Sequence, residues 1–93
     1  KCRALTFKAI QKKYLHQKSY LSGWSDKSSV PFLYDKKNKR FISYDNVKSV
    51  KEKVNLAAHK RLSGVMLWAL SYDDDAHTLV NVISDNVAQS VLL

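Results

Sequence analysis

The sequence predicts an α/β fold organised around one buried strand between two helices. Residues Gly64-Val65-Met66-Leu67-Trp68-Ala69-Leu70 carry no formal charge, in a chain where 26% of residues are charged. A run this short, opened by a glycine, fits a strand covered on both faces. Segments with helical periodicity flank it, at about Val47 to Lys60 and Ala76 to Leu92. Helix, buried strand, helix is the local order of a parallel sheet or an α/β barrel. The run then leads from Trp68 to Asp73-Asp74-Asp75. A large aromatic and an acidic loop thus stand at the carboxyl end of the strand, where such folds keep their sites.

The bounds set by composition agree with a small α/β unit. Ninety-three residues suit one small domain or a piece of a larger one, and a hydrophobic content of 45% excludes a disordered tail. The chain opens Lys1-Cys2-Arg3, without an initiating Met or an apolar signal core, so a piece of a longer protein is expected. No apolar run approaches the roughly 18 residues of a membrane span, and no membrane partner is expected. The net charge of +8 raises a nucleic-acid or anionic-surface binder as a reading. The basic residues are spread over helix faces and a turn with no recognised binding motif, so nucleic acid is not the expected partner. Cys2 is the single cysteine, which excludes an internal disulfide and a cysteine-based zinc site.

The first element is a short amphipathic helix over Leu5 to Tyr14. Phe7, Ile10 and Tyr14 fall on one face and Thr6 is placed to cap its start. Residues 15–29 read as a connector, with Gly23 and serines at 19, 22, 25, 28 and 29 as turn formers. Trp24 in that connector pins it to the body or stacks on a sugar or base. Val30 to Tyr34 and Arg40 to Tyr44 read as strands joined by Asp35-Lys36-Lys37-Asn38-Lys39, a β-hairpin with a solvated basic tip. Pro31 lacks a backbone N–H, which puts its strand at a sheet edge or makes residue 31 the strand's start.

Asp45 or Asn46 caps the next helix, whose apolar stripe is Val47, Val50, Val54 and Ala57/Ala58. Gly64 allows a tight turn into the buried strand. The last helix buries Leu79, Val80, Ile83, Val87 and Val91, and Asp74 or Asp75 caps it. His77 lies in its first turn, and His59, near the end of the preceding helix, reads as structural. Three consecutive aspartates suggest a cation, but hard cations need ligands at alternating loop positions, so capping and solvation are expected and no metal or cofactor is. No Gly-rich phosphate loop, nucleophile elbow or HExxH spacing occurs.

Three blocks in order carry a resemblance. They are Leu5-Thr6-Phe7-Lys8-Ala9-Ile10; Trp24-Ser25-Asp26 through Val30-Pro31-Phe32-Leu33-Tyr34 to Phe41-Ile42-Ser43-Tyr44-Asp45-Asn46 and on to Lys53; and Leu62-Ser63-Gly64-Val65-Met66-Leu67-Trp68-Ala69-Leu70-Ser71-Tyr72-Asp73-Asp74. Together they resemble the C-terminal part of a glycoside hydrolase family 18 chitinase. The resemblance implies the C-terminal fragment of a (β/α)8 TIM barrel with part of an α+β insertion domain. Residues 1–45 would be the second half of that insertion. Residues 46–93 would be the last barrel units: helix seven at 46–61, strand eight at 64–70 and helix eight at 76–92.

The family cleaves β-1,4-linked N-acetylglucosamine polymers with retention, the substrate's acetamido group attacking and an enzyme Glu protonating the leaving oxygen. The acids belong to a DGxDxDWE motif that this chain does not contain, so no catalytic residue is assigned in it and the isolated chain is expected to be inactive. Trp68 is similar to the family Trp that floors the central sugar subsite, and Met66, Tyr44 and Trp24 are candidate secondary contacts. The implied partners are chitin or chitooligosaccharide and the remainder of the barrel. The implied location is secreted or extracellular. Two positions depart from the family pattern: Arg61-Leu62-Ser63-Gly64 lacks a helix-ending glycine, and Asn46 replaces a second Asp. A non-catalytic chitin-binding lectin of the same fold remains an alternative, as does an independent basic module.

Overall fold

The computed structural model describes residues 3–91, with side chains described as far as residue 88. Cys2 and Leu92 lie outside the described residues, as does the side chain of Val91. Helix α1 (Phe7–Ala9) starts where the Thr6 hydroxyl accepts from the Ala9 N–H at 3.0 Å, and a π-helical stretch, Ile10–Tyr14, continues it. Strands β1 (Leu21–Ser25), β2 (Val30–Asp35) and β3 (Arg40–Ser43) follow, then α2 (Val47–His59), a 3₁₀ turn at Leu70–Tyr72, and α3 (Thr78–Val91).

The three strands form one antiparallel sheet in the order β1-β2-β3. The hairpin of β2 and β3 forms as expected, with Leu33 opposite Ile42 and Tyr34 opposite Phe41. Two expectations are corrected. The connector at 15–29 contains β1, because its serines and glycine act as strand residues against β2. The strand holding Pro31 is the central one rather than an edge. Pro31 is its second residue, and its carbonyl accepts from the Tyr44 N–H just past the end of β3. Within one residue of an antiparallel strand the N–H and C=O point to the same side. The missing N–H therefore falls where the β3 ladder is already ending.

Gly23 shows why β1 can pair there. It sits opposite Phe32, and a Cβ on Gly23 would lie 2.4 Å from the tip of the Phe32 ring. That ring also stacks on Phe41 at a centroid distance of 5.5 Å. Gly23→Ala is expected to swing the Phe32 ring off this stack and cost about 1 kcal/mol, read as a lower urea midpoint.

The hairpin turn is organised by Asp35, which is buried. Its carboxylate accepts from the Asn38 side-chain amide at 2.8 Å and from the backbone N–H groups of Lys37 and Asn38. The Asn38 amide, with these N–H groups and nearby Arg40, holds the Asp35 carboxyl below its ordinary value of 3.8, against an opposing effect of burial. The unfolded chain therefore takes up the proton first as pH falls, and the stabilisation present above 3.8 is lost below it. The urea midpoint is expected to drop between about pH 5 and about pH 2, and Asp35→Asn to flatten that drop.

Packing divides into two centres. Ile10, Tyr20 and Leu33 form the first, under the sheet, with Tyr14, Ile42 and Tyr44 around them. Val50, Val54 and Leu79 form the second, between α2 and α3, with Phe7, Val82 and Ile83 beside them. Phe7 and Ile10 are three residues apart on one helical face, so a single turn reaches both centres. The α2 stripe is borne out at Val50, Val54 and Ala57, while Val47 and Ala58 are exposed. On α3 the buried face turns toward Val82, and Val87 is exposed.

The largest correction concerns residues 64–70. They form no strand, and Met66 is 84% and Trp68 78% exposed. A buried strand needs sheet neighbours on both sides and cover on both faces. Among the described residues neither exists for this segment: the sheet lies elsewhere, and α2 and α3 pack on each other. The chain is an α/β fragment with a three-stranded sheet.

Candidate functional site

The segment carrying Trp68 is held at both ends. Upstream, α2 is set by a reciprocal cap: Asn46 Oδ1 accepts from the Ser49 N–H at 3.0 Å and Ser49 Oγ accepts from the Asn46 N–H at 2.8 Å. Ser49 is fully buried and also donates to Asp45 Oδ1, which pairs with Lys53 at 2.8 Å. Of the two candidate caps, Asn46 serves and Asp45 supports Ser49.

Downstream, the acidic run is spent on α3. Asp73 is buried, and its carboxylate accepts from the N–H groups of Asp74 at 2.8 Å, Leu79 at 3.2 Å and Val80 at 2.9 Å. Asp74 accepts from the N–H and the hydroxyl of Thr78, which keeps its carboxyl below the ordinary 3.8. Asp75 caps nothing. It pairs with Lys8 at 2.8 Å, and this ammonium holds its carboxyl low as well. His77 stands just before α3 rather than within it, with a positive φ of 55°. Among the described residues no group of His, Cys, Asp and Glu side chains converges as metal ligands do.

Trp68 borders an open groove of about 1040 Å³ between the 67–73 segment, α1 and β3. Its volume lies at the upper end of the roughly 300–1,000 Å³ of ordinary small-ligand clefts. Tyr44, Tyr20 and Phe41 line the same groove. Burial pushes the Tyr44 hydroxyl's pKa up, against a hydrogen bond with Ser22. The Tyr20 hydroxyl is buried without a hydrogen-bond partner among the described residues. The Trp68 ring, largely exposed, offers its apolar face, and the Trp68–Ala69 peptide bond is cis.

The four candidate residues do not converge. Trp68 and Tyr44 share the groove, whereas Met66 and Trp24 lie outside its lining. Trp24 belongs to β1 and is half-buried, with the Lys48 ammonium 4.0 Å from its ring centroid. That cation–π contact ties the sheet to the start of α2, the pinning role expected of this ring. Sequence reasoning missed Arg3, Lys39 and Arg40, which also line the groove. Their only signal is charge, and Arg3 is remote from the other two in sequence.

The family model for Glycosyl hydrolases family 18 matches residues 2–73. Chitinase A1 of Niallia circulans is 42% identical over 67 residues, covering 72% of this chain. The chain spans only 10% of that relative's length. A chitinase structure from Bacillus thuringiensis superposes with a TM-score of 0.83 at 27% identity, covering 90% of this chain and 15% of that one. A cell-surface-expressed chitinase from Paenibacillus gives 0.81 at 28% identity, covering 87% of this chain and 7% of that one. No described helix is long and apolar enough to cross a membrane. The family match runs through the sheet, α2 and the Trp68 segment in chain order, and the chain belongs to glycoside hydrolase family 18.

Proposed function

We propose that this chain is the C-terminal part of a secreted chitinase-like hydrolase that cleaves β-1,4-N-acetylglucosamine polymers by retaining, substrate-assisted hydrolysis. In this reading residues 1–45 end an α+β insertion domain. Residues 46–61, 64–70 and 76–92 supply helix seven, strand eight and helix eight of a (β/α)8 barrel. The observation that carries it is the exposed Trp68 ring on a groove shared with Tyr44, within a segment similar to chitinases. A pyranose has an apolar face that an exposed indole covers while the sugar hydroxyls stay solvated. The segment's work is positioning, because holding a sugar against the reacting groups lowers the barrier without proton transfer by Trp68 itself. The acids come from residues outside these 93, since the DGxDxDWE motif is not among them.

The exposed 64–70 segment supports the barrel reading. The apolar side chains it exposes are what a strand presents before its sheet neighbours are supplied. The test compares the complete protein with the isolated 93 residues on a soluble chitooligosaccharide, following product anomers by NMR. Turnover with retention by the complete protein and none by the isolated segment is expected. Turnover by the isolated segment would overturn the assignment of the acids elsewhere. Binding without turnover by the complete protein would make it a chitin-binding lectin of the same fold.

A further inference from the structure

We infer that the groove beside Trp68 is charge-selective and favours a β-1,4-linked N-acetylhexosamine chain that bears carboxylates over a neutral one. This rests on the proposed sugar-binding role of the groove and goes beyond it by naming the substrate's charge.

The inference starts from the charges on the lining. Arg3, Lys39 and Arg40 all border the groove that holds Trp68 and Tyr44. The side chains of Arg3 and Lys39 make no hydrogen bond or ion pair among the described residues. Arg40 acts on the buried Asp35 through space, and that carboxylate is already held by Asn38 and Lys37. Two acids also line the groove, and both are engaged. Asp45 is bound by Lys53 at 2.8 and 2.9 Å and by the Ser49 hydroxyl. Asp73 is spent on three backbone N–H groups. Burial raises the pKa of Tyr44, so it stays neutral around pH 7. Three cations thus line the groove against two carboxylates, one of them offset by Lys53, so the net charge of the lining is positive.

A neutral N-acetylglucosamine chain gains nothing from such a rim, and a deacetylated chain, carrying ammonium groups, is repelled. A chain bearing carboxylates is attracted, because a concave surface lined by one sign of charge concentrates the opposite ion. The aromatic floor and the basic rim then act on different parts of one ligand, the ring face and the pendant acid. Arginine adds a planar pair of donors matched to a carboxylate.

The test uses the complete protein and two soluble probes, carboxymethyl-chitin and neutral glycol-chitin, in equilibrium titrations at low and high salt. Carboxymethyl-chitin is expected to bind about tenfold more tightly at low salt. The gap should close near 1 M salt, where the Debye length falls to about 3 Å. Neutralising the rim with Lys39→Gln and Arg40→Gln together should abolish the gap. The same charge change at the hairpin tip, Lys36→Gln with Lys37→Gln, lies outside the groove lining and should leave it. Equal affinity for the two polymers, or equal loss from the tip and rim variants, overturns the inference. Retained carboxymethyl-chitin binding with no glycol-chitin binding or turnover would sink the neutral-chitin reading and uphold charge selection. Binding to neither polymer overturns both.

Discussion

Replacing Trp68 with Ala in the complete protein is expected to lower kcat/KM on chitooligosaccharides by on the order of 100-fold while leaving the fold intact. The stability half of that statement follows from exposure. Within these 93 residues Trp68 is 78% exposed and holds no core, so its removal should change stability by less than about 0.5 kcal/mol wherever the completed barrel leaves the ring open. The activity half follows from geometry. An indole face against a pyranose stabilises the sugar by taking apolar area of both out of water. The larger effect comes from the sugar losing its register with the acids that act on it, where a displacement of about 1 Å can cost 100-fold. Trp68→Tyr keeps a flat ring and should recover part of the loss. Steady-state kinetics beside urea unfolding separates the outcomes. Unchanged kcat/KM would remove Trp68 from the sugar floor. A large fall in stability would show that the ring becomes core once the barrel is complete.

What the sequence discloses depends on how local the physics is. The start of α1 was legible because Thr6 needs only its own helix to cap. The start of α2 was narrowed to Asp45 or Asn46, and the reciprocal bond with Ser49 decides between them. The β2–β3 hairpin was legible because two short apolar runs flank a turn-forming link. Strand β1 was not, since Ser22, Gly23 and Ser25 carry turn chemistry and only pairing with β2 makes them extended. Gly23 reads as flexibility in the sequence and serves in the fold as a place for the Phe32 ring. Residues 64–70 failed for the opposite reason. Their pattern states what the segment needs, namely neighbours on two sides, and the described residues do not supply them. Trp68 was singled out by its place near the end of an apolar run and by the family resemblance, and the fold sets it on the groove. The basic rim was not, because Arg3 meets Lys39 and Arg40 only across the folded groove.

The acidic run poses the sharpest case, because three identical side chains in a row receive three different jobs. Asp73→Ala is expected to destabilise the protein by about 3 kcal/mol, well beyond either neighbour. Asp73 is 5% exposed, and its carboxylate accepts from three N–H groups, two of them at the start of α3. Those donors have no partner within the helix, and a hydrogen bond to a charged acceptor contributes about 1.5–3 kcal/mol net of its exchange with water. The positive end of α3 adds to the preference for an anion there. Asp73→Asn keeps one acceptor oxygen and should lose less. Asp74→Ala removes a cap on Thr78 and should cost about 1 kcal/mol. Asp75→Ala breaks only a solvent-exposed pair with Lys8 and should not measurably change the urea midpoint. If instead the three substitutions cost the same, the run would be acting through its summed charge on the α3 dipole rather than through the Asp73 bonds. Repeating the series at high salt would decide it, since screening weakens a summed field and leaves a buried hydrogen bond nearly untouched.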